Sequence, residues 1–146
     1  MGFLEAMDVS SSGLKAQRVR LNTISSNLAN IETTRSPEGG PYRRKDVVLG
    51  SIPERESFTE VLDDSIENNI QRVQVQEVKS DPNPPKMVWN PRHPDANQDG
   101  YVAMPNINYT EEMVNMLSAQ RSYEANVTAF NAAKRMAMRA LDIGNR

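Results

Sequence analysis

EEMVNMLSAQRSYEANVTAFNAAKRMAMRALDIG, residues 111–144, decides the architecture of this chain. Met113, Gln120, Val127, Lys134 and Leu141 share one heptad position, and Met116, Tyr123, Phe130 and Ala137 share its partner position. Residues three and four apart lie on one face of a helix, and a sustained heptad recurrence is the seam of a coiled coil. No proline interrupts the run. Just ahead of it, Asn108 with Glu111 has the form of a capping box, and Glu111 and Glu112 suit the positive end of the helix dipole. Arg135 and Arg139 suit the far end, where Gly144 is a natural terminator. The pattern predicts a helix over about 110–143.

The other end of the chain repeats the scheme. Met7, Leu14, Leu21 and Leu28 share one heptad position, and Phe3, Ser10, Gln17, Ile24 and Ile31 share the other. Gly13 and the run Ser10–Ser12 weaken the first turns, so the expected dependable helix is Leu14 to Ala29. A helix of about 30 residues reaches about 45 Å. One apolar stripe leaves such a helix marginal on its own, because most helical stability comes from packing. The stripes need partners, either each other or other subunits.

All nine prolines fall between residues 35 and 107. The short runs KDVVLGS, RVQVQEVK and KMVWN are β-rich and bounded by turn residues, which predicts strands. SFTEVLDDSIEN spaces Phe58, Val61, Leu62 and Ile66 for one short helix. Three regions follow: an N-terminal amphipathic helix region over 1–34, a small β-rich or irregular middle domain over 35–107, and a C-terminal amphipathic helix region over 108–146. The expected fold class is mainly α with a small β-rich insert. Its two long terminal helices would pair as a coiled coil in an assembly, around a Pro-rich middle domain.

Composition narrows the function. The formal net charge of −2, from 17 basic and 19 acidic residues, offers no excess of positive charge to a nucleic acid. Without cysteine there is no disulfide and no thiolate metal site. An apolar fraction of 38%, with 5% aromatics, is a lean supply for a self-contained core. The start, MGFLEAMDVSSSGLKAQ, carries Glu5 and Asp8 and is not expected to act as a cleavable leader. No stretch approaches the roughly 20 apolar residues of a membrane span.

The candidate chemistry is thin. HPDANQDGYVAMPN, residues 93–106, begins like a calcium loop, with Asp95, Asn97 and Asp99 at alternate positions before Gly100. The twelfth position is Asn106 rather than a bidentate Glu, and Pro84, Pro85, Pro91 and Pro94 forbid an entering helix. The expected reading is a pair of Asx turns before a short strand, not a metal site. His93, the sole histidine, has no second His or Cys with which to share a zinc. YRRKD, residues 42–46, is the one basic cluster, expected to be a solvated or ion-paired strand end. Glu54, Glu56, Glu60, Asp63, Asp64 and Glu67 read as a solvated acidic face, and Gly39-Gly40 as a turn. No catalytic, metal or cofactor-binding set emerges, so neither an enzyme nor a small-molecule substrate is expected.

SGLKAQRVRLNTISSNLANIETT closely resembles the N-terminal signature of bacterial flagellar basal-body rod proteins. Ser12, Leu14, Arg20, Ile24, Ser25, Asn27, Leu28, Ala29, Asn30 and Thr33 carry the likeness. The stretch 111–144 resembles that family's C-terminal helix at Met113, Ala119, Arg121, Tyr123, Asn126, Met136 and Leu141. TTRSPEGGPYRRKDVV and DPNPPKMVWNPRHPDANQDGYVAMPNIN resemble the C-type, proximal-rod branch. The resemblance implies a subunit of the periplasmic drive shaft, exported uncleaved through the flagellar type III apparatus. Its implied partners are the B-, F- and G-type rod subunits and the inner-membrane ring/rod junction protein.

On that reading the assembly interface is Leu14, Leu21, Ile24, Leu28 and Ile31 against Met113, Met116, Tyr123, Val127, Phe130 and Leu141. Gln17, Gln120 and Lys134 at seam positions would penalise wrong registers. The alternatives are a coiled-coil adaptor of another secretion apparatus, which needs only the heptads, and a weak calcium-binding module.

Overall fold

The structure is a computed structural model that describes residues 3–37, 39–53 and 71–144. It contains helix α1 (Phe3–Ala29), strands β1 (Lys45–Pro53), β2 (Gln71–Ser80), β3 (Lys86–Trp89) and β4 (Tyr101–Met104), and helix α2 (Tyr109–Gly144). The strands form two small sheets, β1 with β2 and β3 with β4. All three predicted strand runs are strands, and a fourth follows Gly100. The short helix expected over SFTEVLDDSIEN, and the acidic stretch from Glu54 to Glu67, lie outside the described residues.

Helix α2 starts where its cap predicts. The Asn108 side-chain oxygen accepts the Thr110 amide at 3.1 Å, and its carbonyl accepts the Glu112 amide at 3.0 Å. The first satisfies a donor that a helix start otherwise leaves unpaired, and the second is the first bond of the helix itself. Helix α1 departs from expectation: it is continuous from Phe3 rather than dependable only from Leu14. The serines that compete with helix in isolation here bond backward along it, Ser10 Oγ to the Ala6 carbonyl at 2.8 Å and Ser12 Oγ to the Val9 carbonyl at 2.7 Å. Gly13 is buried, and its bare Cα is used for close packing rather than for flexibility.

Two compact units divide the chain. The first takes Met1–Val19, Leu49–Gln76 and Gln120–Arg146. In it, a Cβ added at Gly13 would lie 2.8 Å from the Asn126 amide nitrogen, so α1 meets α2 at a residue without a side chain. Ala16 and Ala133 are buried there. Ser12 Oγ also accepts the Val73 amide at 3.2 Å, and Arg72 pairs with Asp8 at 3.4 Å, which ties β2 to α1.

The second unit takes Arg20–Val48 and Glu77–Ala119. Its buried side chains include Ile24, Asn27, Val102, Glu112 and Ala119. The Arg44 carbonyl accepts the Asp81 amide at 2.7 Å, joining the start of β1 to the end of β2 in antiparallel sense. Strands β3 and β4 are antiparallel, with Lys86 opposite Met104 and Trp89 opposite Tyr101. Alternation along a strand sends neighbours to opposite faces. Val88 and Val102 accordingly share the inner face. Among the described residues, no helix is long and apolar enough to cross a membrane.

Candidate functional site

The second unit holds a buried polar junction where the end of α1, the start of β1 and the first turn of α2 meet. Asn27, 1% exposed, stands in the last turn of α1. Its side-chain oxygen accepts the Lys45 amide at 2.9 Å, and its nitrogen donates to the Lys45 carbonyl at 2.8 Å. An amide side chain thus pairs with both main-chain groups of one residue, as a neighbouring strand would. The same oxygen accepts the Tyr42 hydroxyl at 3.1 Å, and the same nitrogen donates to Glu112 Oε2 at 3.1 Å. Arg44 Nε donates to Glu112 Oε1 at 2.6 Å.

Glu112 is a buried carboxylate, 1% exposed, with a charged partner and an amide donor, and it sits in the first turn of α2. A buried charge is tolerable only when paired and hydrogen-bonded, and the helix dipole adds to that pairing. Burial and the nearby Glu112 charge both raise the Tyr42 hydroxyl above its ordinary pKa, keeping it a donor. Burial lowers the Arg44 guanidinium, but the Glu112 hydrogen bond and charge outweigh it and leave the net shift upward. These groups hold one another, and what they can do is fix the angle and register at which two helices leave a strand.

The glycine-marked loop before β4 is built as a set of turns. Asn97 Oδ1 accepts the amides of Asp99 at 3.1 Å and Tyr101 at 2.8 Å, and Gly100 takes φ +81°. Asp95 accepts the Thr34 hydroxyl at 2.8 Å and pairs with Arg35, while its amide donates to His93 Nδ1 at 3.1 Å. The Thr34 hydrogen bond, the largest influence, together with Arg35 holds the Asp95 carboxyl below the usual range, against an upward push from desolvation. Two of the three side chains that would begin a calcium loop, Asp95 and Asn97, are committed to the protein itself. Gly39 and Gly40 both take positive φ in the turn expected of them.

Within the chain, the assembly stripe is only partly covered. Ile24 is buried, whereas Leu14, Leu21, Leu28, Ile31, Met113, Met116, Tyr123, Val127 and Phe130 are half-buried, and Leu141 is 68% exposed. The positions that pack most tightly are Gly13, Ala16 and Asn27 on α1 and Glu112, Ala119 and Ala133 on α2. Gln120 is exposed and donates to Glu124, Lys134 is exposed, and the Gln17 side-chain oxygen is buried without a hydrogen bond.

The resemblance residues divide similarly. Asn27 is in the junction. Asn30 holds the turn after α1, donating to the Ser26 carbonyl at 2.8 Å and accepting the Thr33 hydroxyl at 3.2 Å. Asn126 faces Gly13, and Ala29 and Arg121 are exposed. Sequence reasoning took Glu112 for a dipole residue and Arg44 for a strand-end cation. Their pairing spans 68 positions, and no local spacing could reveal it.

Residues 7–35 match the family described as flagella basal body rod protein, and residues 98–143 match flagellar basal body rod FlgEFG protein C-terminal. The whole chain aligns with proteins named flagellar basal-body rod protein FlgC. It is 46% identical to that of Bacillus subtilis over 151 residues, covering 99% of each chain. It is 42% identical to that of Borreliella burgdorferi over 149 residues, covering 98% of each. Against that of Yersinia enterocolitica the identity is 38% over 146 residues, again covering 99% of each. With identity sustained from end to end, the chain belongs to the FlgC family of flagellar basal-body rod proteins.

Proposed function

We propose that this structural subunit of the flagellar basal-body rod carries torque through its helices, packed against those of neighbouring subunits along the axis. The observation that supports this is the half-covered apolar stripe: Leu14, Leu21, Leu28, Met116, Val127 and Phe130 all keep surface that the chain itself does not bury. Fully burying each such side chain is worth roughly 1.5–3 kcal/mol. Several partly buried ones together supply a drive to assemble. Contacts of one surface with a different surface on the next subunit build a helical array rather than a closed ring.

In this reading the neighbours are the B-, F- and G-type rod subunits and the junction protein of the inner-membrane ring. Delivery is through the flagellar type III apparatus to the periplasm, and the two helical regions work as a coiled coil once assembled. Gln17, Gln120 and Lys134 discriminate between registers, because burying any of them opposite an apolar side chain is costly. The middle region faces outward and sets where α2 departs.

Electron cryo-tomography of cells lacking the chain tests the reading. Inner-membrane rings without rod or filament, restored when the chain is supplied in trans, are the expected result. Intact rods in those cells would reject it.

A further inference from the structure

His93 is the sole histidine of the chain, and it joins two successive turns on the way to β4. Its amide donates to the Asn90 carbonyl at 3.2 Å, and its carbonyl accepts the Ala96 amide at 3.0 Å. Inside the second turn, Pro94 has no N–H to offer, so the Asp95 amide is the inner donor that needs a partner. The imidazole provides it: Nδ1 accepts the Asp95 amide at 3.1 Å. An Asn or Asp at this place would use a side-chain oxygen, as in an Asx turn. Here a ring nitrogen does the same work, and both residues are half-buried.

The substitution of nitrogen for oxygen has a consequence. A carboxamide oxygen accepts at any pH, whereas imidazole changes charge between about pH 5 and 8. Only the neutral ring has a lone pair, and accepting at Nδ1 places its proton on Nε2. Once protonated, both nitrogens are donors, and Nδ1–H would face the Asp95 N–H. A second acceptor is close by. The Asp95 carboxylate belongs to the same residue as that amide, and the charge of the ring reaches it. We propose that His93 is a pH-dependent cap: neutral, it holds the Asp95 amide and closes the turn; protonated, it releases the amide and donates Nδ1–H to the Asp95 carboxylate.

Few other charges bear on the ring. Arg92 adjoins it in the chain, and Arg35, from the turn after α1, is already paired with Asp95. Of the remaining residues along the groove beside Asp95, Ser36, Gly39, Gly40, Pro41 and Ala103 carry no charge. Thr34 donates its hydroxyl to the same carboxylate at 2.8 Å. A carboxylate has about four lone-pair sites, so the charged ring joins Thr34 and Arg35 there without displacing either. Acid therefore opens the 93–96 turn while the tie from Asp95 to the segment after α1 holds. The exchange takes place within one chain and needs no neighbouring subunit.

Nitrogen-15 NMR of the full-length chain tests this. At about pH 8 the ring is expected to show the Nε2–H tautomer, with the Asp95 amide protected from exchange with water. Lowering the pH to about 5 spans the imidazole range, and the Asp95 protection should fall several-fold at the midpoint of the ring's own titration, the size expected for losing one hydrogen bond. His93→Asn keeps an oxygen acceptor for the same amide and has nothing to titrate, so its Asp95 protection should stay constant across the range. An unchanged circular dichroism spectrum will show that this variant folds. The Nδ1–H tautomer at pH 8 would overturn the proposal, as would an Asp95 amide that is unprotected there or indifferent to the ring's titration. The same acid loss in His93→Asn would also overturn it, by tracing the response to another group.

Discussion

At the scale of single residues, Asn27 shows how one amide can do the work of a strand. Asn27→Asp alters one atom but replaces the donor facing Glu112 with a second carboxylate oxygen, and it also loses the bond to the Lys45 carbonyl. Unfolding in urea is expected to reveal a loss of about 2–4 kcal/mol, the range for unpairing buried hydrogen bonds to a charge. Glu112→Leu and Arg44→Leu made singly are each expected to destabilise by a similar amount. Made together they should cost clearly less than the sum, since neither then leaves a charge behind. A strictly additive double variant would mean that the short Arg44–Glu112 contact carries no coupling.

Asp95 supplies a pH dependence with a definite sign. Its carboxyl sits below its ordinary value in the folded chain. The stability it contributes is therefore fully present above the unfolded pKa of about 3.9, and is lost as the pH falls through the lower folded value. Asp95→Asn is expected to melt lower than the parent at neutral pH, with the gap closing under acid. A gap that persists at pH 2 would place the effect elsewhere. Since Asp95 and Asn97 are spent on the protein, adding calcium is expected to leave the melting temperature unchanged.

Among elements, the strands and α2 were legible because their signals are local: period-two runs bounded by turns, a capping Asn108, and a long periodic stretch. The start of α1 was not, because glycine and serine disfavour a helix only where nothing packs against them. Gly13 meets Asn126, and Ser12 takes on a strand amide. Gly13→Ala is expected to be close to neutral in thermal unfolding. The gain of up to about 1 kcal/mol in helix propensity is set against a contact that the Asn126 amide can swing to relieve. Gly13→Leu has no such escape and should destabilise.

The apolar stripes were legible as stripes, but which of their members the chain buries for itself was not. A heptad pattern does not say whether small neighbours, here Ala16, Ala119 and Ala133, will take the innermost places. Leu21→Asp, on the half-covered stripe, is expected to abolish incorporation into the rod while the β3–β4 hairpin stays folded, read by motility and by Trp89 fluorescence. Normal swimming would count heavily against helix packing as the assembly contact.

Across the molecule, the buried positions among the described residues are held by Gly13, three alanines, Ile24, Val102, Pro105 and the Asn27–Glu112 junction, while leucine, methionine and aromatic side chains stand partly outside. On the proposed packing, folding and assembly therefore draw on largely separate residues. In genetic terms, a change at Leu141 should pass any assay of expression or solubility and still leave a cell without swimming. Its second-site suppressors belong in the genes of neighbouring subunits. Changes at Asn27 or Glu112 should behave the opposite way, lowering the amount of protein recovered and being rescued, when rescued at all, from within this same gene.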